Sequence, residues 1–429
     1  MLKRLLVGLL AAVVVAMVGF AAFAWRPSIG KITPPAASGF SPALVARGEV
    51  LAGAGYCSTC HTAKGGQPFA GGYPMQTGFG TIYSTNITPD AKTGIGTWSE
   101  AAFRRAMHQG VARDGSHLLP AFPYDHFTKL TDADVSALYA YMMTRPAVVA
   151  PDRRNGIAFP LNIRALQAGW KLLYFRPGRF EPDAARSAEW NRGAYLAQGV
   201  SHCGACHTPR GALGAEKRDK AFAGAAIDNW IAPALTAANP SPAPWDRAEL
   251  VAYLRTGVSH YHGVAAGPMA PVVHDGLAKL PDADIRALAV YFADTDGAAG
   301  RAASLAPALQ RAAAADRLNV GPQTDPSARL YTAACASCHY NGAGQPAPLR
   351  PDLALNSAVN LDDPTNLVRV VLHGVGAREG APGVVMPAFD RLSDADIARL
   401  ATYLRATRTD KPAWPNLEKK VAAIRAQGK

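Results

Sequence analysis

The chain has 429 residues, room for about three domains of average size. With 49% apolar and 18% charged residues, a packed globular protein is expected rather than a disordered one. The formal charge is +12, but the basic residues are scattered and form no Lys/Arg block or nucleic-acid motif, so no nucleic-acid partner is expected.

The N-terminus reads MLKRLLVGLLAAVVVAMVGFAAFAWRPSIG. Lys3 and Arg4 precede an uncharged run of 21 residues, Leu5 to Trp25, long enough to cross a bilayer as a helix. Ala22-Phe23-Ala24 also fits a cleavage site. A signal h-region, however, usually runs only about 7–15 residues. Residues 1–25 are therefore read as a membrane anchor or signal, with the retained anchor preferred. Positive charge before the span keeps the N-terminus cytoplasmic and puts the rest outside. The expected location is the cell inner membrane, periplasmic face.

Beyond the anchor, one pattern comes three times. A short helix (SPALVARGEVLAGAGY, SAEWNRGAYLAQGVSH, DPSARLYTAA) leads into CSTCH, CGACH or CASCH. A long loop follows, then WSEAAFRRAMHQGV, WDRAELVAYLRTGV or DPTNLVRVVLHGV. The unit closes on LTDADVSALYAYM, LPDADIRALAVYF or LSDADIARLATYL. Thr131 and Ser393 are placed to cap the closing helices, with Asp134 and Asp396 three residues on. Val135, Leu138 and Tyr139 recur at helical spacing, as do Ile285, Leu288 and Ala289, and Ile397, Leu400 and Ala401. The expected domains are 41–147, 186–297 and 321–408. The fold class is all-α with long loops and no sustained strand alternation.

All six cysteines fall in the three pentapeptides: Cys57 and Cys60, Cys203 and Cys206, Cys335 and Cys338. A disulfide framework would scatter them, a thioredoxin-like pair needs one motif beside a βαβ pattern, and a zinc site needs a fourth ligand. C-x-x-C-H is the haem c attachment signature. Two thiols on one helical turn form thioethers with the haem vinyl groups, and the adjacent imidazole meets the iron. Three covalent haems c are expected, with His61, His207 and His339 as proximal iron ligands.

A second axial ligand is sought in the loop before each closing helix. Met269 lies 62 residues after His207, and Met386 lies 47 after His339. Methionine in that place raises the reduction potential. In the first unit Phe122 stands 61 residues after His61, and its side chain has no atom to give to iron. His126 is the preferred substitute, ahead of His117, with Met107 and His108 on the preceding helix also in reach. A peroxide-reactive open haem is the alternative if none of these binds.

Each repeat resembles the class I cytochrome c domain. Together, CSTCHT, STNITPD, GIGTWSEAAF and YMMTRPAV resemble the three-haem, membrane-bound cytochrome c subunit of periplasmic dehydrogenases. The resemblance implies a subunit without substrate chemistry, passing electrons from a catalytic dehydrogenase subunit to ubiquinone or a terminal oxidase. PAFPYDHFTKLTDADV, with Phe122 in the methionine's place, and SAEWNRGAYL resemble subunits paired with molybdopterin hydroxylases of nicotinate, N-heterocycles or aldehydes. Such a partner is a molybdopterin large subunit with an iron–sulfur small subunit. Quinoprotein alcohol dehydrogenases and flavin-dependent gluconate or sugar dehydrogenases are the alternative partners. No phosphate-binding loop, nucleophile elbow or zinc-protease motif appears in the sequence.

Overall fold

The computed structural model describes residues 1–318, 321–340, 351–377, 379–380 and 383–428. Two compact units form, Met1–Pro182 with Gln198–His202, and Asp183–Ala197 with Cys203–Lys429.

In the first unit the helix Leu2–Ala24 has a mean hydropathy of 2.7 over its most apolar 18 residues, and none of that window is buried by protein. The helix Pro42–Ala54 starts where Ser41 accepts from the Leu44 amide and proline fills the first turn. It packs on the helix Asp132–Met143, which Thr131 caps at the Asp134 amide, 3.1 Å, as its sequence predicts. Gly48 makes the crossing possible. A Cβ there would lie 2.0 Å from the Ala137 carbonyl oxygen and 2.7 Å from the Tyr141 Cβ. Beside it, Arg47 reaches the buried Asp134 carboxylate at 2.7 Å.

The second unit repeats this arrangement. The helix Ala188–Gln198 meets Asp282–Thr295 at Gly193, where a Cβ would sit 2.0 Å from the Ala287 carbonyl oxygen. Arg192 holds Asp284 with two bonds, 2.7 and 2.8 Å. A third pairing joins Pro326–Tyr331 to Asp394–Arg408, with Tyr331 and Tyr403 ring centroids 5.7 Å apart. Ser393 caps this helix at the Asp396 amide, 3.1 Å. The last two pairings share one unit because side chains bond across them. Asn366 donates to the Ile231 carbonyl and accepts from its amide, both at 2.8 Å.

The expectation of an all-α chain needs one correction. Among the described residues, three small antiparallel sheets lie in the loops: Pro74–Thr77 with Gly80–Tyr83 and Gly156–Ile157, Ala225–Ile227 with Trp230–Ala232, and Val258–Ser259 with Gly263–Val264. Their strands have two to four residues, too short for a period of two to stand out in sequence. Residues 341–350, after the third motif, lie outside the described residues.

A buried histidine gives the second unit an acid-sensitive point. His262 stacks on Trp245, centroids 3.7 Å apart. Its Nε2–H donates to the Pro244 carbonyl at 3.2 Å, and its Nδ1 accepts from the Ser241 hydroxyl at 2.9 Å. Burial pushes its pKa down to about 3. The unfolded chain takes up this proton near the ordinary value of about 6.5, the folded chain only near 3. Stability from this group is therefore full above pH 6.5 and lost as pH falls toward 3. His262→Phe is expected to lower Tm at pH 7. The gap to the parent should narrow steadily in melts at pH 6, 5 and 4. A gap independent of pH would contradict the assignment.

Candidate functional site

Each pentapeptide sits on a helical turn. In the first, Cys57–Cys60 form the turn and the His61 amide donates back to the Cys57 carbonyl at 3.0 Å. In the second, Gly204–His207 close with the His207 amide on the Cys203 carbonyl at 3.1 Å. In the third, a π-helical turn Thr332–Ala336 leads into Ser337–His339. The residues before the first cysteines, Tyr56 and His202, both take left-handed backbone, φ 36° and 33°. That sharp entry sets the cysteine turn off from the preceding helix.

None of the six cysteines is joined to another in a disulfide. Burial, then the neighbouring cysteine, pushes the Cys57 and Cys203 thiols up to about 12. Burial pushes Cys335 up to about 11. Each pair puts two sulfurs on one helical turn, the arrangement that a double thioether attachment needs.

The three histidines share one geometry. The Nδ1–H of His61 donates to the Thr85 carbonyl at 2.7 Å, that of His207 to the Pro233 carbonyl at 2.7 Å, and that of His339 to the Pro351 carbonyl at 3.0 Å. The surrounding protein pushes each imidazole below its ordinary pKa, so each is neutral. Fixing Nδ1–H on a carbonyl fixes the tautomer and leaves Nε2 as the basic, metal-directed nitrogen. The residues therefore fit covalent haem: two thiols on one turn and an oriented neutral imidazole beside them.

The carbonyls are themselves held. Asn86, buried in the STNITPD stretch, donates from Nδ2 to the Val148 carbonyl at 2.7 Å and accepts at Oδ1 from the Thr88 amide at 2.9 Å, which pins the loop carrying Thr85. Asn239 does the same past Pro233, donating to the Ala234 carbonyl at 2.6 Å. Sequence reasoning missed these supporting asparagines. Their signal was visible, since polar residues recur in the loop 25 and 32 positions after the two motif histidines.

The second-ligand candidates occupy different backbone settings. Met386 pairs with Val375 through two 3.0 Å bonds, and its side chain packs against the core of the third pairing. The equivalent pairs are Val258 with Val264 and Val111 with His117. Met269 lies five residues past Val264, and Phe122 five past His117. Backbone register thus agrees with spacing that Phe122 stands where Met269 stands, while Met386 comes earlier in its own turn. Phe122 packs on Phe127, centroids 5.2 Å apart.

Among the first unit's histidines, His117 is spent on structure. Its Nε2–H donates to the Ala24 carbonyl at 2.8 Å, and its Nδ1 takes a 3.1 Å bond from Lys171. His108 Nδ1 faces the Arg179 guanidinium at 2.6 Å, and burial followed by Arg179 pushes its pKa down to about 4. His126 is buried, and its Nδ1–H donates to the Gln198 carbonyl at 2.9 Å, the same orientation device the three motif histidines use.

Comparison with known proteins fits this geometry. A cytochrome c family model matches residues 45–146, and the model of cbb3-type cytochrome c oxidase subunit III matches 322–404. The fructose dehydrogenase cytochrome subunit of Gluconobacter japonicus is 37% identical over 92% of this chain and 85% of its own length. This chain belongs to the cytochrome c subunits of dehydrogenase complexes.

The gluconate 2-dehydrogenase cytochrome c subunit of Pantoea cypripedii is 39% identical over 89% of the chain and 90% of its own length. A nicotinate dehydrogenase subunit of Pseudomonas putida is 47% identical over 98% of the chain, which spans only 35% of that larger protein. The family's work is electron transfer. Haem c supplies an iron centre that changes by one electron. In this chain two cysteines on one turn and an imidazole of fixed tautomer are the groups that would hold such a centre.

Proposed function

We propose that the chain carries three covalent haems c in three cytochrome c domains, 41–147, 186–297 and 321–408, behind a retained anchor at residues 1–25. It takes electrons from a catalytic dehydrogenase subunit and passes them to ubiquinone or a terminal oxidase at the periplasmic face of the inner membrane. The thioethers form on Cys57 and Cys60, Cys203 and Cys206, Cys335 and Cys338. His61, His207 and His339 are the proximal ligands. The observation that carries this reading is the Nδ1–carbonyl bond made by all three histidines. Intact mass and a pyridine haemochrome assay on the purified chain should count three haems. A count of two or fewer would sink at least one site.

Met269 and Met386 are the distal ligands of the second and third haems, and His126 that of the first. His126→Ala should make one haem high-spin and open to carbon monoxide, read by magnetic circular dichroism on the whole protein. His117→Ala should leave the spin states as they were. A high-spin haem already present in the parent would replace this ligand with an open, peroxide-accessible site.

The partner we favour is a molybdopterin hydroxylase with an iron–sulfur small subunit, acting on nicotinate, another N-heterocycle or an aldehyde. Support comes from the higher identity to the nicotinate dehydrogenase relative and from phenylalanine at position 122. Affinity purification of the chain from its own membranes tests it. Recovery of molybdenum with the complex is expected, and a quinoprotein or flavoprotein partner would overturn it.

A further inference from the structure

Outside the N-terminal helix, exposed apolar side chains concentrate in one stretch. Phe159 is 78% exposed, Leu172 65% and Leu173 60%, and Leu161, Ile163 and Leu166 are also exposed. Six such residues within 159–173 are more than scattered surface hydrophobics need, and such a concentration marks a contact. The helix Leu166–Tyr174 explains the arrangement. One face is fastened to the protein. Gln167 and Ala168 are buried, and Trp170 packs edge-on against Tyr124 with centroids 6.2 Å apart. On the same side Lys171 Nζ donates to the Gln109 and Gly110 carbonyls at 2.7 and 2.6 Å. Leu166, Leu172 and Leu173 are left outward.

Charge sorts the same way. From Arg153 to Phe180 the sequence holds no aspartate or glutamate. Arg153 and Arg154 before the apolar residues in sequence, and Arg176 after them, are exposed. Exposed apolar side chains flanked in sequence by basic residues, with no acidic one among them, have the composition of a segment lying in a membrane interface.

The anchor's end sits against this segment. Phe20 is 3.6 Å from where a Cβ on Gly169 would stand. The Ala24 carbonyl accepts from His117 Nε2–H, and the following residues are tied to the same unit by Arg105 on the Pro27 carbonyl, 2.7 Å, and the Ile29 amide on the Arg113 carbonyl, 2.8 Å. A bilayer crossed by Leu2–Ala24 therefore has its outer surface beside Gly169.

We propose that residues 159–173 lie in the periplasmic leaflet of the bilayer that the N-terminal helix spans. Leu166, Leu172 and Leu173 dip into the acyl boundary and the flanking arginines meet anionic headgroups. The first unit is thus held flat on the membrane by two contacts rather than swinging on one tether. The inference rests on the retained-anchor reading, and its test separates the two.

Nitroxide-labelled Leu172→Cys and Val13→Cys variants of the full chain are to be placed in vesicles of phosphatidylethanolamine and phosphatidylglycerol. An unchanged visible spectrum verifies folding. Collision with oxygen should exceed collision with a water-soluble nickel chelate at both positions. A water-exposed label at 172 with a lipid-exposed label at 13 overturns the proposal and keeps the anchor. A lipid-exposed label at 172 with a water-exposed or missing label at 13 keeps the surface and overturns the anchor. A label at 172 that is shielded only after the catalytic partner is added makes this a protein docking face and overturns the lipid assignment.

Discussion

Gly193→Ala is expected to destabilise the second unit by about 3 kcal/mol or more, above the usual range for overpacking because the obstacle is backbone. The added Cβ would lie 2.0 Å from the Ala287 carbonyl oxygen and 2.6 Å from its carbonyl carbon. Neither atom swings aside as a flexible side chain would. The helices must separate, which also pulls Arg192 from Asp284. Because helix Ala188–Gln198 leads into the second motif, haem content should fall with stability. Gly48→Ala is expected to do the same to the first unit through the Ala137 carbonyl. Gly300→Ala is the control: nothing lies within 4 Å of its Cβ position. It sits in a helix, so alanine there should be neutral or slightly stabilising. Denaturant unfolding and haem absorbance per chain read the result. Equal effects at positions 193 and 300 would show that the crossing is not tight.

The second large effect concerns potentials. Met386→Ala should remove a methionine–iron bond and with it part of the near-infrared band of Met-ligated ferric haem. Axial ligands move haem potentials over about 0.8 V, so a drop on the order of 0.1 V in one of three titration steps is expected. Met269→Ala should act on a different step. Met386 is packed half into an apolar core, so a core role alone would lower Tm while leaving spectrum and potentials in place. That outcome would remove it from the iron. Potentiometric titration of both variants, with melting curves alongside, separates the two roles.

Much of the site was legible in one dimension because haem attachment is a local geometry. Two thiols three apart and the following histidine meet on one turn whatever surrounds them, and Cys57, Cys60 and His61 do so. The caps at Thr131 and Ser393 were legible for the same reason, since cap and amide are three residues apart. The distal side was less so. His117 and His126 look alike in sequence, and only the partners they meet, Ala24 and Lys171 against Gln198, tell them apart.

The sequence by itself determined the cysteine turns, the histidine beside each, the apolar N-terminal run and the threefold order of helices. All depend on neighbours within a few residues or on composition over a window. Only the tertiary structure decided which carbonyl orients each histidine, 24, 26 or 12 residues away. It alone decided why Gly48 and Gly193 are glycine, since the reason lies 89 and 94 residues further along. It alone decided that residues 159–173 turn leucines outward beside the N-terminal helix, where a short apolar run reads equally well as core. Long-range packing joins residues whose separation leaves no period to read, and burial on one face of a short helix is set by what it packs against.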